Sequence, residues 1–398
     1  MDIVKKNVFV LALGQAFFTS VTSVLALTAG LVGYQLIKFN VAYATIPVSA
    51  MVIGAALSAA PAAKLMIITG RKNGFLFGNL IGLLGALICI SGIYFKFFWI
   101  FSFGVFLIGI FNGFAHQYRF AAADIAEQSF KAKAISFVLA GGIFAAYLGP
   151  EIASKTSDIF PDFIYLGSYI AVSIILLISI VTLLNINIDK KYLKKYGEEP
   201  RKLFEIIKQP LFILSVSSST VGFSIMVLIM TATPIAMIEH CNHTLNDAKF
   251  VVQWHVVAMF APSFFTGSLI NKFGYFRIIG MGIFFMLFAI LFAILGTDVI
   301  HFWLSMFVLG LGWNFMFVGG SSLLTETYSP PETSKAQGFH DFIVFYSVAV
   351  SSIGSGVLLE FFGWKGIGIG SIPLVIFVIF IFIFIFVISN RNKFILKV

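Results

Sequence analysis

The sequence predicts an all-α integral membrane protein of twelve transmembrane helices, organised as two pseudo-symmetric six-helix bundles. Three observations carry this reading. Apolar runs recur along the whole chain, with 59% hydrophobic against 11% charged residues and a mean hydropathy of +1.00. Crossing roughly 30 Å of hydrocarbon at 1.5 Å per residue takes about 20 such residues. The basic residues alternate between the two ends of successive runs, and two landmarks repeat at nearly the same offset in the two halves.

Charged, proline and glycine punctuation divides the runs into spans at about 8–34, 41–63, 74–95, 98–123, 134–155 and 163–185. The second set falls at about 210–237, 250–270, 276–296, 301–324, 337–359 and 366–389. The first run is longer than a secretory signal's apolar core, so it reads as an uncleaved helix. Residues 186–209 are the longest polar stretch, with Lys190, Lys191, Lys194, Lys195 and Lys202. They read as a solvated cytoplasmic linker between an N-terminal bundle, 1–185, and a C-terminal bundle, 210–398.

With both termini in the cytoplasm, 20 of the 26 Lys and Arg residues fall in internal segments and five in external ones. Arg119, inside a span, is the remaining one. This positive-inside bias sets the expected orientation in the cell membrane. The net charge of +9 is spread over short loops, so no nucleic-acid face is expected. Two cysteines, Cys89 and Cys241, give no disulfide framework. His240-Cys241-Asn242-His243 lacks the further ligand that a metal spacing needs, and no phosphate-cradling loop or nucleophile triad is present. An enzyme is not expected, nor a cofactor.

Gly70-Arg71-Lys72 follows the second span, and Gly267 to Gly274 follows the eighth, with Gly70 and Gly274 204 positions apart. Lys133-Ala134 and Lys335-Ala336 are 202 apart. Twelve spans, a central loop and these Gly-rich turns resemble the major facilitator superfamily, whose loop signature runs Gly-x-x-x-Asp-Arg-x-Gly-Arg-Arg/Lys. The second copy carries Asn271 at the Asp position. The first copy has Ala63 and Ile67 where the signature has its first glycine and its Asp. Tyr118 to Asp124, Ala140-Gly141-Gly142 and Gly312-Trp313-Asn314-Phe315 are similar to a bacterial branch that includes riboflavin uptake transporters. The resemblance implies a monomer embedded in lipid that moves a small metabolite, a flavin among the candidates, by alternating access. Gly149-Pro150 resembles the superfamily's antiporter motif and keeps proton-coupled export of drug-like compounds as the alternative.

The repeat sorts the polar residues. Asn112 and Asn314 lie 202 apart, as do Asp124 and Glu326, so each pair is expected to serve the shared fold. The two acids, with Arg71 and Lys72 in one half and Lys272 and Arg277 in the other, read as cytoplasmic gate latches. His116 and Arg119 correspond to Val318 and Ser321 and are unmatched. With Asn112 they form an i, i+4, i+7 stripe on the fourth span. Ionisable groups there are costly and usually face a cavity or partner. Superfamily members line the central cavity with the first, fourth, seventh and tenth helices. Substrate contacts are therefore expected from His116, Gln117 and Arg119, with Gln15 and Thr19, Ser217 and Thr220, and Trp313 and Asn314. Proton coupling is assigned to Asp341 with His340, which are also unmatched, and second to Glu151. Glu151 is expected to pair with Lys155 at i+4.

Overall fold

A computed structural model of the chain describes residues 3–37, 46–188 and 201–391. The core of the linker, the start of the second expected span, Lys38 and the last seven residues lie outside this set. Eleven stretches among the described residues are long and apolar enough to cross a membrane. The last of them, Pro330–Ser389, has 60 residues, far beyond one crossing. Its helix, Thr333–Arg391, breaks at Gly363, whose φ of 64° and ψ of −170° are not helical. Glycine tolerates this conformation because it has no Cβ.

Two compact units emerge. The first comprises Met1–Ile125, Gly141–Gly197 and Thr333–Phe345, and the second Ala126–Ala140, Glu198–Glu332 and Tyr346–Val398. Each therefore incorporates a short segment from the opposite half of the sequence.

In the first unit, helix α1 (Ile3–Leu36) packs on α7 (Ile143–Thr156) and α8 (Leu166–Leu183), while α2 (Ile46–Thr69) and α3 (Arg71–Tyr94) both pack on α4 (Phe98–Ala115). One turn at His116–Gln117 separates α4 from α5 (Tyr118–Asp124). Apolar helix surface gains little by leaving lipid, so association rests on close packing of small residues and interhelical hydrogen bonds. Helix α3 shows the pattern. Gly78, Gly82 and Gly85 are buried against Phe114, Phe111 and Gly104, while Phe77, Leu80, Leu84 and Leu87 face outward. At the α2–α4 crossing, Gly54 and Gly109 bring the two backbones together, and Ser58 donates to the Ile110 carbonyl at 3.1 Å.

In the second unit, α10 (Pro210–Ile235), α11 (Leu245–Phe260) and α13 (Tyr275–Leu295) surround the central α14 (Val299–Leu324). Helix α12 (Ser263–Phe273) packs on α6 (Lys131–Ala140), and the short α9 (Leu203–Ile207) precedes α10. The repeat is visible in the backbone. Gly70 has φ 92° and ψ 156°, and Gly274 has φ 82° and ψ 161°. Both occupy a region that disfavours any Cβ, and both join the same two helices of their repeat. Arg201 docks the end of the linker: it forks onto Glu332 with Nε–Oε1 at 2.6 Å and Nη2–Oε2 at 2.7 Å. This bond holds the Arg201 pKa above its ordinary value.

Candidate functional site

The polar residues of α4 and α5 form one network in the first unit, joined by the start of helix α15 (Thr333–Arg391). Asp341, fully buried, accepts three hydrogen bonds. Its Oδ1 receives Arg119 Nη2 at 2.6 Å and His340 Nδ1 at 2.9 Å, and its Oδ2 receives Gln117 Nε2 at 2.7 Å. Gln117 in turn accepts from Arg71 Nη1 at 3.1 Å. Arg71 Nη2 reaches Asp124 Oδ2 at 2.5 Å and Gln337 Oε1 at 2.7 Å. Two arginines and two aspartates are thus linked through one glutamine. The network balances charge where a lone ion would be expensive.

The break between α4 and α5 supports this geometry. Arg119 Nη1 donates to the His116 carbonyl at 2.7 Å and approaches His116 Nδ1 at 3.3 Å. The guanidinium also lies over Phe120, 4.3 Å from the ring centroid. The His116 ring sits 4.9 Å from Phe18 of α1 and 4.4 Å from Phe345 of α15. A wall of three rings therefore stands one helical turn from the carboxylate, since Phe345 is at i+4 from Asp341.

The expected residues are distributed as follows. Arg119 and Asp341, assigned separately to substrate and proton, form a single ion pair. Arg71 meets Asp124, whereas Lys72 donates to the Leu184 carbonyl at 2.5 Å. In the second unit the acid is met differently. Glu326 accepts the Tyr275 hydroxyl at 3.1 Å and the Gln128 amide. Among the described residues no ion pair joins it to Lys272, which lies beside Phe273, or to the exposed Arg277. Glu151 pairs with Lys155 at 3.1 Å. In α1, Gln15 is buried and the Thr19 hydroxyl returns to the Gln15 carbonyl at 2.7 Å.

Helix α10 separates its hydroxyls by face. Ser215 and Ser218 donate to the Gly320 and Met316 carbonyls of α14, while Ser217 and Thr220 are only half-buried and the Thr220 hydroxyl has no partner. Trp313 stacks on Phe317 at 4.9 Å, and its indole N–H has no partner. Asn314 is tied into the packing by Met259, Ser263 and Thr266. Its repeat counterpart differs: Asn112 is buried but its Oδ1 has no partner. The repeat spacing gave no signal for that difference. What distinguishes it is the neighbourhood, because Asn112 lies one turn before His116. No cluster of three or more metal-ligating groups occurs among the described residues.

The sequence matches the family model of the Major Facilitator Superfamily over residues 8–248 and 214–394. It is 39% identical to the riboflavin transporter RfnT of Brucella anthropi over 373 residues, 93% of each chain. Among solved structures, a bacterial homologue of the iron transporter ferroportin in an outward-facing state aligns with a TM-score of 0.73 and 13% identity. That alignment covers 97% of this chain and 99% of the other. The E. coli fucose:proton symporter aligns with a TM-score of 0.71 and 14% identity, covering 95% and 97%. The structural likenesses speak for the fold, and the sequence matches mark a membrane transporter rather than an enzyme. The chain belongs to the Major Facilitator Superfamily.

Proposed function

We propose that this protein is a twelve-helix secondary transporter that carries riboflavin, or a close flavin relative, across the cytoplasmic membrane. Its termini face the cytoplasm and its two six-helix repeats, 1–185 and 210–398, provide alternating access. The observation that carries the reading is the 39% identity over 93% of both chains to a riboflavin transporter. The buried network of α4, α5 and α15 supports it, because a flat ring with polar edges suits a carboxylate, an amide and a guanidinium beside aromatic walls. Arg119, His116 and Gln117 are its polar contacts in the first unit, with Gln15 and Thr19 from α1. Within the second unit the candidate contacts are Ser217, Thr220 and Trp313. Asn314 positions α14 through its packing bonds.

Proton coupling is assigned to Asp341 and His340. Asp341 is the anion to which Arg119 is bound, and His340 Nε2 is buried without a partner. The Arg71–Asp124 pair serves as a gate latch. Gly149-Pro150 supports the alternative of proton-driven export, although in the structure Gly149 also permits α7 to approach Ser23 of α1.

Uptake of radiolabelled riboflavin into proteoliposomes containing the purified chain, with an imposed proton gradient of either sign, tests the reading. Accumulation driven by an inward gradient supports import with protons. Failure to move riboflavin under either gradient rejects the substrate, and flux indifferent to the gradient rejects the coupling.

A further inference from the structure

We propose that Gln117, Asp341 and Arg119 form a specificity element that reads the imide edge of a neutral heterocycle: carbonyl, N–H, carbonyl. This rests on the transport reading for its location, but not on flavin being the cargo. The observation is a row of complementary chemistry. A carboxylate with donors on both flanks presents donor, acceptor, donor: Gln117 Nε2 at 2.7 Å from Oδ2 and Arg119 Nη2 at 2.6 Å from Oδ1. An imide edge presents acceptor, donor, acceptor.

The exchange leaves every group served. Asp341 accepts three hydrogen bonds, and two carboxylate oxygens accept about four, so Oδ2 can take the imide N–H. Gln117 then turns its amide N–H to one ring carbonyl, and the five-donor guanidinium of Arg119 serves the other. One hydrogen bond between protein groups is replaced by three to the ligand, and the Arg119–Asp341 pair stays together.

Charge decides the ligand class. The network holds Arg71 and Arg119 against Asp124 and Asp341. A carboxylate or phosphate ligand would add an anion or displace one of the aspartates, and an amine would displace an arginine. Either leaves a charge unpaired in a buried site, which is the expensive outcome. A neutral imide adds no charge.

Two further features favour a flat ring behind that edge. Phe18, His116 and Phe345 stand together one turn away, with ring centroids 4.4 and 4.9 Å from that of His116. Asn112, on the same stripe as His116 and Arg119, is buried with an Oδ1 that has no partner. That oxygen is a ready acceptor for a hydroxyl on a ring substituent. The Phe18 and Phe345 rings and the Asn112 oxygen take no part in the ion pairs or in the gate latch.

Calorimetric titration of the purified full-length chain in detergent with riboflavin, N3-methylriboflavin and lumazine tests the assignment. Methylation removes the imide N–H and keeps the ring and its charge. Riboflavin is expected to bind at least about tenfold more tightly than its N3-methyl derivative, the loss of one hydrogen bond to a charged group. Asp341→Asn should erase most of that discrimination. The comparison of ligands on the unaltered chain stands even where the variant folds poorly. Equal affinities for riboflavin and N3-methylriboflavin would overturn the edge reading while leaving flavin transport intact. Binding of lumazine with refusal of riboflavin would do the reverse: it supports the edge reading and rejects the flavin cargo. Binding of neither overturns both.

Discussion

Replacing Arg119 by methionine removes one half of an ion pair whose partner, Asp341, is fully buried. The carboxylate would keep only His340 and Gln117 as donors. Breaking a buried pair from one side costs about 3–5 kcal/mol, because the surviving charge is stranded. That corresponds to a factor of roughly 10² to 10³·⁵ in the unfolding equilibrium. Gln117→Leu is the internal control. It removes hydrogen bonds to Asp341 and from Arg71 but strands no charge, and interhelical hydrogen bonds in membranes average about 0.6 kcal/mol each. It should therefore cost about 1–2 kcal/mol. The double variant Arg119→Met with Asp341→Leu removes both charges and should cost less than either single change, since apolar replacement of a whole buried pair is often close to neutral. Reversible unfolding of the purified chain in mixed micelles measures all four. The reasoning fails if Arg119→Met costs no more than Gln117→Leu, or if the double variant costs the sum of its parts.

Other outcomes follow from the packing and the loops. Gly109→Val places a side chain where α4 meets the Met51 carbonyl of α2 and should destabilise by about 1–3 kcal/mol, whereas Gly356→Ala, which meets nothing within 4 Å, should be silent; melting temperatures of the two variants check this. On the proposed topology the turn before α11 is external; Cys241 is half-buried there and Cys89 is fully buried, so a membrane-impermeant maleimide applied to intact cells should label only Cys241. Burial raises the Cys241 pKa above that of an ordinary thiol, so its thiolate fraction is depressed near neutrality and labelling should keep accelerating above pH 9. Labelling that plateaus below pH 8 would contradict the raised pKa. Glu332→Gln loosens the fork that docks Arg201, at a cost of about 1–2 kcal/mol because Arg201 is partly exposed. Tryptic cleavage after Arg201 should become faster; unchanged cleavage would show that the fork does not anchor the linker.

Much of this was legible in the sequence because it is local or periodic. Span length, the Gly70 and Gly274 turns and the i+4 pair of Glu151 with Lys155 all follow from spacing within one element or one repeat. The Arg71–Asp124 contact was accessible for the same reason, since the loop and the end of the fourth span were expected on one side of the membrane. The Arg119–Asp341 pair was not, because 222 residues separate its members and the repeat offset treats each as a lone residue. One signal pointed to it. They are opposite charges inside spans and neither has a counterpart in the other half, and unmatched intramembrane charges require partners. Repeat matching also misjudged equivalence: Asn314 is tied to three neighbours, whereas Asn112 keeps a bare oxygen, and identical spacing does not guarantee identical packing. On α10, periodicity named Ser217 and Thr220 but could not say that Ser215 and Ser218 bond the neighbouring backbone.

The placement of Thr333–Phe345 in the first unit has a consequence for biosynthesis. Arg119 emerges from the ribosome 222 residues before Asp341. At about 5–20 residues per second, the membrane must hold that arginine for roughly 10–45 s before its counter-ion is made. During this interval the nascent helix relies on Phe120 and on the His116 carbonyl, both on its own turn, to shield the guanidinium. A polypeptide stopped at the linker would retain the cation without its anion. Quality control in the membrane would then have a chemical mark, an uncompensated arginine, by which to recognise an unfinished chain.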